Sequence, residues 1–513
     1  MNPHATPAAP EAFTTLPALI GGHARQAPAR IALRCGDAAL SYAELDARMD
    51  RVAAALQRDG VARREAVAIC GAAAVDYVVL FMGALRAGIA VAPLAPGATT
   101  ASLAAMVVDA QARHFFADGE IALQLADQAG LPPITPLDGP GFEAWLAPAG
   151  ARPQPVDIAP GDPFNLIYSS GTTGTPKGIA QPHAMRWAHV QRSRPYGYGP
   201  ASVTLAATPL YSNTTLVALI PALAHGGCVV LMPRFDALAY LELALRHRAT
   251  HSMLVPVQYQ RLLAHPRFGD FDLSAFVMKF CTSAPFSAAL KAEVLARWPG
   301  GLVEYYGMTE GGGTCILEAH QQRDKLHTVG RPGPGSEFHL IAEDGRALPA
   351  GSAEAGEIVG RSPGMMSGYH GQPELTRAAE WFDAEGRRYI RTGDIGRFDA
   401  DGFLTLIDRR KDMIISGGFN IYPSDLEAQL AAHPAVAEAA VVGVPSERWG
   451  ETPVARVVLR AGSKATAAEL LQWANERLGK VQRLADLQLC AELPRSAIGK
   501  VLKRELRAQV LGG

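Results

Sequence analysis

A lysine that follows a run of glycines and hydroxyls can bind phosphate. Residues 169–178 place Ser169, Ser170, Gly171, Thr172, Thr173, Gly174 and Thr175 ahead of Pro176, Lys177 and Gly178. Glycines let backbone N–H groups approach an anion with no Cβ in the way. Hydroxyls and successive amides donate to phosphate oxygens, and the lysine adds a point charge. The preceding residues 164–168 are apolar and aromatic and read as a buried strand. The run is not the common P-loop, which needs four residues between a glycine and Gly-Lys-Ser/Thr. A ligand-free surface loop is the other reading of these residues taken alone.

Four further constellations carry chemistry. Tyr305, Tyr306, Gly307, Met308, Thr309 and Glu310 set aromatics beside a glycine and a carboxylate. Such a ring can lie flat against a purine, and a lone carboxylate can hold Mg²⁺ together with phosphates. Asp394, after Gly393, can accept from both neighbouring hydroxyls of a ribose. A charged run from Asp408 through Arg409 and Lys411 to Asp412 precedes Gly417 and Gly418 and reads as a linker. Lys500 follows Gly499 near the end of the chain, where a lysine at a loop tip could meet negative charge as it develops.

Together and in this order, these segments resemble the adenylate-forming superfamily: acyl-CoA synthetases, peptide-synthetase adenylation domains and beetle luciferases. The resemblance runs from about residue 15 to 508. It implies two half-reactions at one site. A carboxylate attacks the α-phosphate of ATP and pyrophosphate leaves; a thiol then attacks the acyl-adenylate and AMP leaves. It makes residues 169–175 and Lys177 the phosphate loop, Tyr306 the adenine stacker, Thr309 a phosphate contact, and Glu310 with Thr173 the Mg²⁺ ligands. Ser283, Ala284 and Pro285 would line the adenine, Asp394 and Arg409 the ribose. Lys411 would be the hinge of a swinging C-terminal domain, Lys500 the catalytic lysine of the first half-reaction, and Gly417 and Gly418 the wall of the thiol tunnel. Trp449, Lys480 and Arg483 are candidate CoA contacts. Lys500 lies in a Pro-x₄-Gly-Lys segment resembling a lysine-acetylation site, so an acetyltransferase is a candidate partner, and acetylation would remove the charge.

These residues must be positioned by a large scaffold. A chain of 513 residues, 48% hydrophobic, is too long for one ordinary core. Strand-like and helical runs alternate over the first ~400 residues, which argues for an α/β fold with mainly parallel sheets. Strands are expected at 66–70, 204–208 and 227–232, helices at 76–87, 214–225 and 236–248. Turn signals near Gly345, Gly386 and Gly402 place a small β-rich subdomain at 335–408. A small α+β domain is expected beyond it, giving a flexible tail over 1–14, an N-terminal domain over 15–408 and a mobile C-terminal domain over 409–513. The most apolar stretch, 67–96, is broken by Asp76 and Arg86 and ended by prolines, so it reads as core and not as a membrane span. With 48 basic and 49 acidic residues there is no electrostatic case for nucleic acid. Six scattered cysteines without a CxxC pair fit a reducing cytoplasm.

The substrate is read from departures within the resemblance. Peptide-synthetase domains hold an amino acid with an aspartate; the matching residues here, 208–216, carry no carboxylate. Tyr211 and Ser212 stand where aryl- and acyl-CoA ligases have an aromatic–histidine pair, and Tyr305 stands where some hydroxycinnamate ligases have glycine. Tyr211, Ser212, Tyr305 and Gly307 are therefore the expected acid pocket. A bulky Tyr305 shortens it, pointing to an aromatic, alicyclic or medium-chain acid. CoA is the expected thiol, because no carrier domain follows the lysine loop. A separate carrier protein, a luciferase-like monooxygenase, a non-catalytic nucleotide-binding relic and a homodimer remain open at this stage.

Overall fold

In the computed structural model, which describes residues 12–169, 176–352, 354–409, 412–416, 419–479, 482–496 and 500–512, four β-sheets organise the chain. One is seven-stranded. Its centre, Ala66–Cys70 beside Ala90–Leu94 and Ala112–Ala117, is parallel. The inner two are buried at every residue, as strands covered by helices on both faces must be. The helix Val75–Arg86 between them is apolar almost all round. Its two charges are paired: Asp76, partly exposed, with Arg48 at 2.8 Å, and Arg86 with Asp46 at 2.5 Å and Asp50 at 2.6 Å. The apolar stretch is therefore core, and no described helix is long and apolar enough to cross a membrane.

A nine-stranded sheet carries the second half of the α/β region. Met278–Cys281 sits between His251–Leu254 and Gly301–Gly307, all parallel, while Thr314–Glu318 folds back antiparallel on Gly301–Gly307. The mainly parallel expectation thus describes the sheet centres, and antiparallel strands close three of the four edges, the exception being the parallel strand Ile134–Pro136. The expected 204–208 strand stops at Ala206, and the helices at Asn213–Ala224 and Ala237–Arg246 fall within a residue or two of expectation.

The expected β-rich region is an antiparallel five-stranded sheet built on the long strand Arg388–Phe398. Its turns contain Gly345, Gly386 and Gly402 at φ of 84°, 74° and 79°, which is why glycine stands there. Beyond it, strands from Ile414 to Leu489 form a fourth sheet with the helices Pro423–Ala431, Ala467–Asn475 and Lys503–Leu511. Ile414, Ile421, Leu426, Leu430, Val441 and Leu470 belong to its own apolar core. A large N-terminal α/β unit and a small C-terminal α+β unit follow. Ser424 ties the two, its hydroxyl donating to the Ile407 carbonyl and its amide to Asp408 Oδ2 at 3.0 Å.

Candidate functional site

Side chains alternate across a strand, and Gly301–Gly307 uses both faces. Tyr306 points to the antiparallel sheet, where its hydroxyl donates to Asp394 Oδ2 at 2.9 Å. The other oxygen of Asp394 lies 3.2 Å from Arg409 Nε. This follows from register, because Asp394 and Arg409 face each other on adjacent strands. Burial and the Asp394 charge push the Tyr306 phenol well above its ordinary pKa, so it remains a donor. Three residues far apart in the chain, each with an expected role toward adenosine, therefore touch.

The strand ends in a turn that carries Met308, Thr309 and Glu310. Gly311 closes it at φ 73°, and a Cβ there would lie 2.0 Å from the Gly364 carbonyl oxygen, so no other residue fits. Gln181 Nε2 donates to the Thr309 carbonyl at 2.6 Å, and the Met366 amide donates to that of Glu310 at 2.8 Å. Tyr369 donates its hydroxyl to Glu310 Oε1 at 2.8 Å. The Tyr369 strand pairs with Lys177–Pro182, the His370 amide donates to Gly178 O at 2.7 Å, and Gln372 Nε2 donates to Pro176 O at 2.9 Å. Residues 368–372 thus clasp the Lys177 end of the loop to the Glu310 turn. Nothing in the sequence reading pointed to Tyr369 or Gln372. Glu310 offers one carboxylate with one oxygen engaged, and no described cluster of three or more His, Cys, Asp or Glu could hold a metal. That donor set fits a cation bound mostly by phosphate and water.

Behind the turn lies a polar network without a carboxylate. Arg186, 2% exposed, donates to Asn165 Oδ1 at 2.9 Å and to Gln181 Oε1, and Asn165 Nδ2 donates to Gln181 Oε1 at 2.9 Å. Burial lowers the Arg186 pKa to about 9. The carrying helix, His183–Ser193, buries His183, Arg186, His189 and Ser193. Their spacing of three to four is the one signal that could have found this buried polar face.

On the opposite face of the strand, Tyr305 joins Tyr196, Met253, Phe280 and Val303 in an apolar cluster. Its ring stacks on Phe280 at 5.7 Å and 10°, and Phe280 stacks on Tyr198 at 6.0 Å and 7°. A small cavity opens here, lined by His189, Arg192, Ser193, Tyr198, Phe280 and Tyr305 among others. Arg192 lies 4.9 Å over the Tyr305 ring and donates to Thr314 Oγ1 at 3.0 Å. Ser283, two residues past the strand Met278–Cys281, is in a left-handed conformation, φ 79°, an unusual state for serine. Its hydroxyl is 2.6 Å from that of Thr214. Ala284 and Pro285 lead from it to the helix Ala288–Arg297.

The remaining expected site residues are more scattered. Ser212 caps the helix Asn213–Ala224, its hydroxyl accepting from the Thr214 amide at 3.2 Å. Tyr211 and Ser212 are not among the residues lining the Tyr305 cavity. Gly307 is exposed at the strand end and pairs with Thr314. Lys500 closes a reversal in which the Ser496 amide donates to its carbonyl at 2.8 Å and its own amide donates to Ser496 Oγ at 3.2 Å. Trp449 is 48% exposed with Arg448 4.7 Å over its ring, and Arg483 is exposed. Ser170, Gly171, Thr172, Thr173, Gly174, Thr175, Lys411, Gly417, Gly418 and Lys480 lie outside the described residues, as does the Ser169 side chain.

With this geometry established, the chain can be set beside known proteins. Residues 22–370 match the family model of the AMP-binding enzymes, and residues 425–500 match that of the AMP-binding enzyme C-terminal domain. A feruloyl-CoA synthase from Amycolatopsis is 35% identical over 94% of this chain and 96% of its own. An indoleacetate–CoA ligase from Aromatoleum aromaticum is 33% identical over 96% and 97%. Among solved structures, ATP-bound MatB from Rhodopseudomonas palustris superposes with a TM-score of 0.87 at 29% identity, over 97% of this chain and 99% of that one. The chain belongs to the AMP-binding enzymes, the adenylate-forming superfamily, on the side of the acyl- and aryl-CoA ligases.

Proposed function

We propose that this chain is an ATP-dependent carboxylic acid–CoA ligase acting on an aromatic, alicyclic or medium-chain acid. The observation that carries the reading is the division of one strand. Tyr306 meets Asp394 and Arg409 on one face, Tyr305 meets an aromatic cavity on the other, and both lead into the Glu310 turn. A nucleotide and an acid bound on those two faces would converge where the turn meets the base of the phosphate loop. That placement turns a bimolecular attack into an in-line one, where positioning and charge neutralisation do most of the catalysis.

In this reading Tyr306 stacks on adenine, with Ser283, Ala284 and Pro285 along its edge, and Asp394 exchanges its contacts with Tyr306 and Arg409 for ribose hydroxyls. Residues 169–175 and Lys177 hold the phosphates, with Thr309 beside them. Glu310 and Thr173 would hold Mg²⁺, which when bound neutralises phosphate charge. Tyr369 fixes the Glu310 carboxylate for that task. Lys500 supports the first half-reaction. A rotation near Lys411, dividing the chain at 408/409, then exchanges the Lys500 loop for Gly417 and Gly418 and opens the path for the thiol, with Trp449, Lys480 and Arg483 toward CoA.

The test is pyrophosphate release with ATP, Mg²⁺ and a panel of benzoates, cinnamates, alicyclic acids and C2–C16 fatty acids, with and without CoA. Acid-dependent release, with a thioester formed only when CoA is present, is the expected result. Release without CoA transfer would assign the thiol to another acceptor, such as a carrier protein. ATP binding without turnover on any acid would contradict the ligase reading.

A further inference from the structure

Arg192 is a charge with no matching charge. It lies among Tyr305, Tyr198 and Phe280 at the wall of the small cavity. Among the described residues its hydrogen-bond partner is Thr314, and no carboxylate lies within ion-pair distance of it. Glu318 acts on the Tyr196 phenol, and no carboxylate is among the groups that act on Arg192. A guanidinium has five N–H donors, and one bond to a hydroxyl leaves most of them unused. Arg192 is partly buried, and a cation drawn out of water is costly unless something pairs with it.

His189, one helical turn earlier, lines the same cavity. Its Nδ1 lies 3.4 Å from Arg186 Nη1, and an arginine can only donate, so Nδ1 accepts and the proton sits on Nε2. Burial and the two neighbouring guanidiniums keep His189 neutral. The cavity wall therefore supplies one cation and further donors, and no described carboxylate pairs with that cation. It holds room for about one water molecule, so an anionic end group would enter only as the surrounding side chains shift.

Resting on the ligase reading above, we infer that Arg192 selects an acid bearing a second anionic oxygen group, a carboxylate or sulfonate, at the end remote from the carboxylate that is activated. The reacting carboxylate is the poorer occupant. Paired with the guanidinium it would lose nucleophilicity and be held away from the phosphate, which in the ligase reading lies toward the Glu310 turn. The ring ladder of Tyr305, Phe280 and Tyr198 would flank the body of the acid between its two charged ends.

The experiment compares matched pairs with the full-length protein: glutarate against pentanoate, and isophthalate and 3-sulfobenzoate against benzoate. The readout is pyrophosphate release with ATP and Mg²⁺, in wild type, Arg192→Leu and Arg192→Lys, each checked for an unchanged melting temperature. Wild type should favour the doubly anionic member by about 30-fold in kcat/KM or more. Arg192→Leu should lose about 100-fold on that member, mainly through KM, and reverse the preference, with Arg192→Lys between the two. A wild type that prefers the singly charged acids would overturn the inference without needing any variant to fold. So would an equal loss on both members of each pair in Arg192→Leu, which would place the reacting carboxylate at Arg192. Activity on plain acids in either case would leave the ligase reading standing. Silence on every acid would remove that reading and this inference together.

Discussion

Tyr305 and Tyr306 are neighbours in the chain and belong to two different sites. The Tyr306 face is polar and exchanges hydrogen bonds with Asp394 and, through it, Arg409. The Tyr305 face is a stack of rings with one cation over it. In the proposed function the first face would handle groups that every such reaction shares, and its residues stand in short contiguous motifs. The second is built by side chains from several elements, Arg192 from one helix and Phe280 and Tyr305 from two strands, and no single segment spells it. On the proposed function, common chemistry and selectivity would be separated by one peptide bond and free to change independently.

The largest expected effect lies on neither face. Lys500→Ala should reduce acid-dependent ATP–pyrophosphate exchange by about 10²–10³-fold, the cost of removing one positioned charge from a developing transition state. Thioester formation from supplied acyl-adenylate should be nearly unchanged, which stopped-flow CoA consumption would read. An equal loss in both steps would tie Lys500 to folding instead. On the Tyr306 face, Asp394→Ala should raise the KM for ATP by about 30-fold and leave the ranking of acids intact. A changed ranking would break the separation of the faces.

Gln181→Leu tests what the two faces share. It leaves the Thr309 carbonyl, Asn165 and Arg186 each short of a partner, so urea unfolding should report a loss of about 3 kcal/mol. Tyr369→Phe should be milder for stability and should raise the Mg²⁺ concentration needed for half-maximal rate a few-fold, because Glu310 loses its fixed donor.

A further expected effect, separate from both faces, concerns pH. Burial lowers His183 to about 4, and the same cause lowers His114 to about 4. Between there and the free value near 6.5, the unfolded chain takes a proton that the folded chain refuses. Stability is therefore full above pH 6.5 and falls as pH drops toward 4, by about 2 kcal/mol per histidine at pH 5. Denaturation curves at pH 7 and 5 should show the loss, and His183→Gln should remove its share. Equal stability at the two pH values would mean these imidazoles are protonated in the folded state.

The sequence made the Tyr306 face legible because its parts are local or recur in a fixed order. Asp394 and Arg409 could be named from their motifs, and strand register then brought them together. The sheet centres were equally readable, since strands such as Ala66–Cys70 are apolar throughout. Tyr369 was not legible: it reaches Glu310 across 59 positions from a two-residue strand whose only role in sequence is to be near a glycine. The helix His183–Ser193 misleads by its composition, because its histidines and arginines suggest a solvated face while the structure buries His183, Arg186 and His189. Ser212, placed in the acid pocket by comparison with an aromatic–histidine pair, has its hydroxyl engaged in capping a helix. Hydrogen bonding at a helix start is a local demand, and a serine at that position serves it whatever lies nearby.

The separation of the two faces is tested most directly by one pair of variants measured side by side. Tyr305→Ala and Tyr306→Ala would each be assayed for ATP–pyrophosphate exchange over a range of ATP and over the acid panel. The expected result is a crossed one: Tyr306→Ala raises the KM for ATP and keeps the order of acids, while Tyr305→Ala keeps the KM for ATP and reorders the acids toward bulkier ones. If both substitutions moved both quantities alike, the strand Gly301–Gly307 would serve a single undivided site, contrary to the division described above.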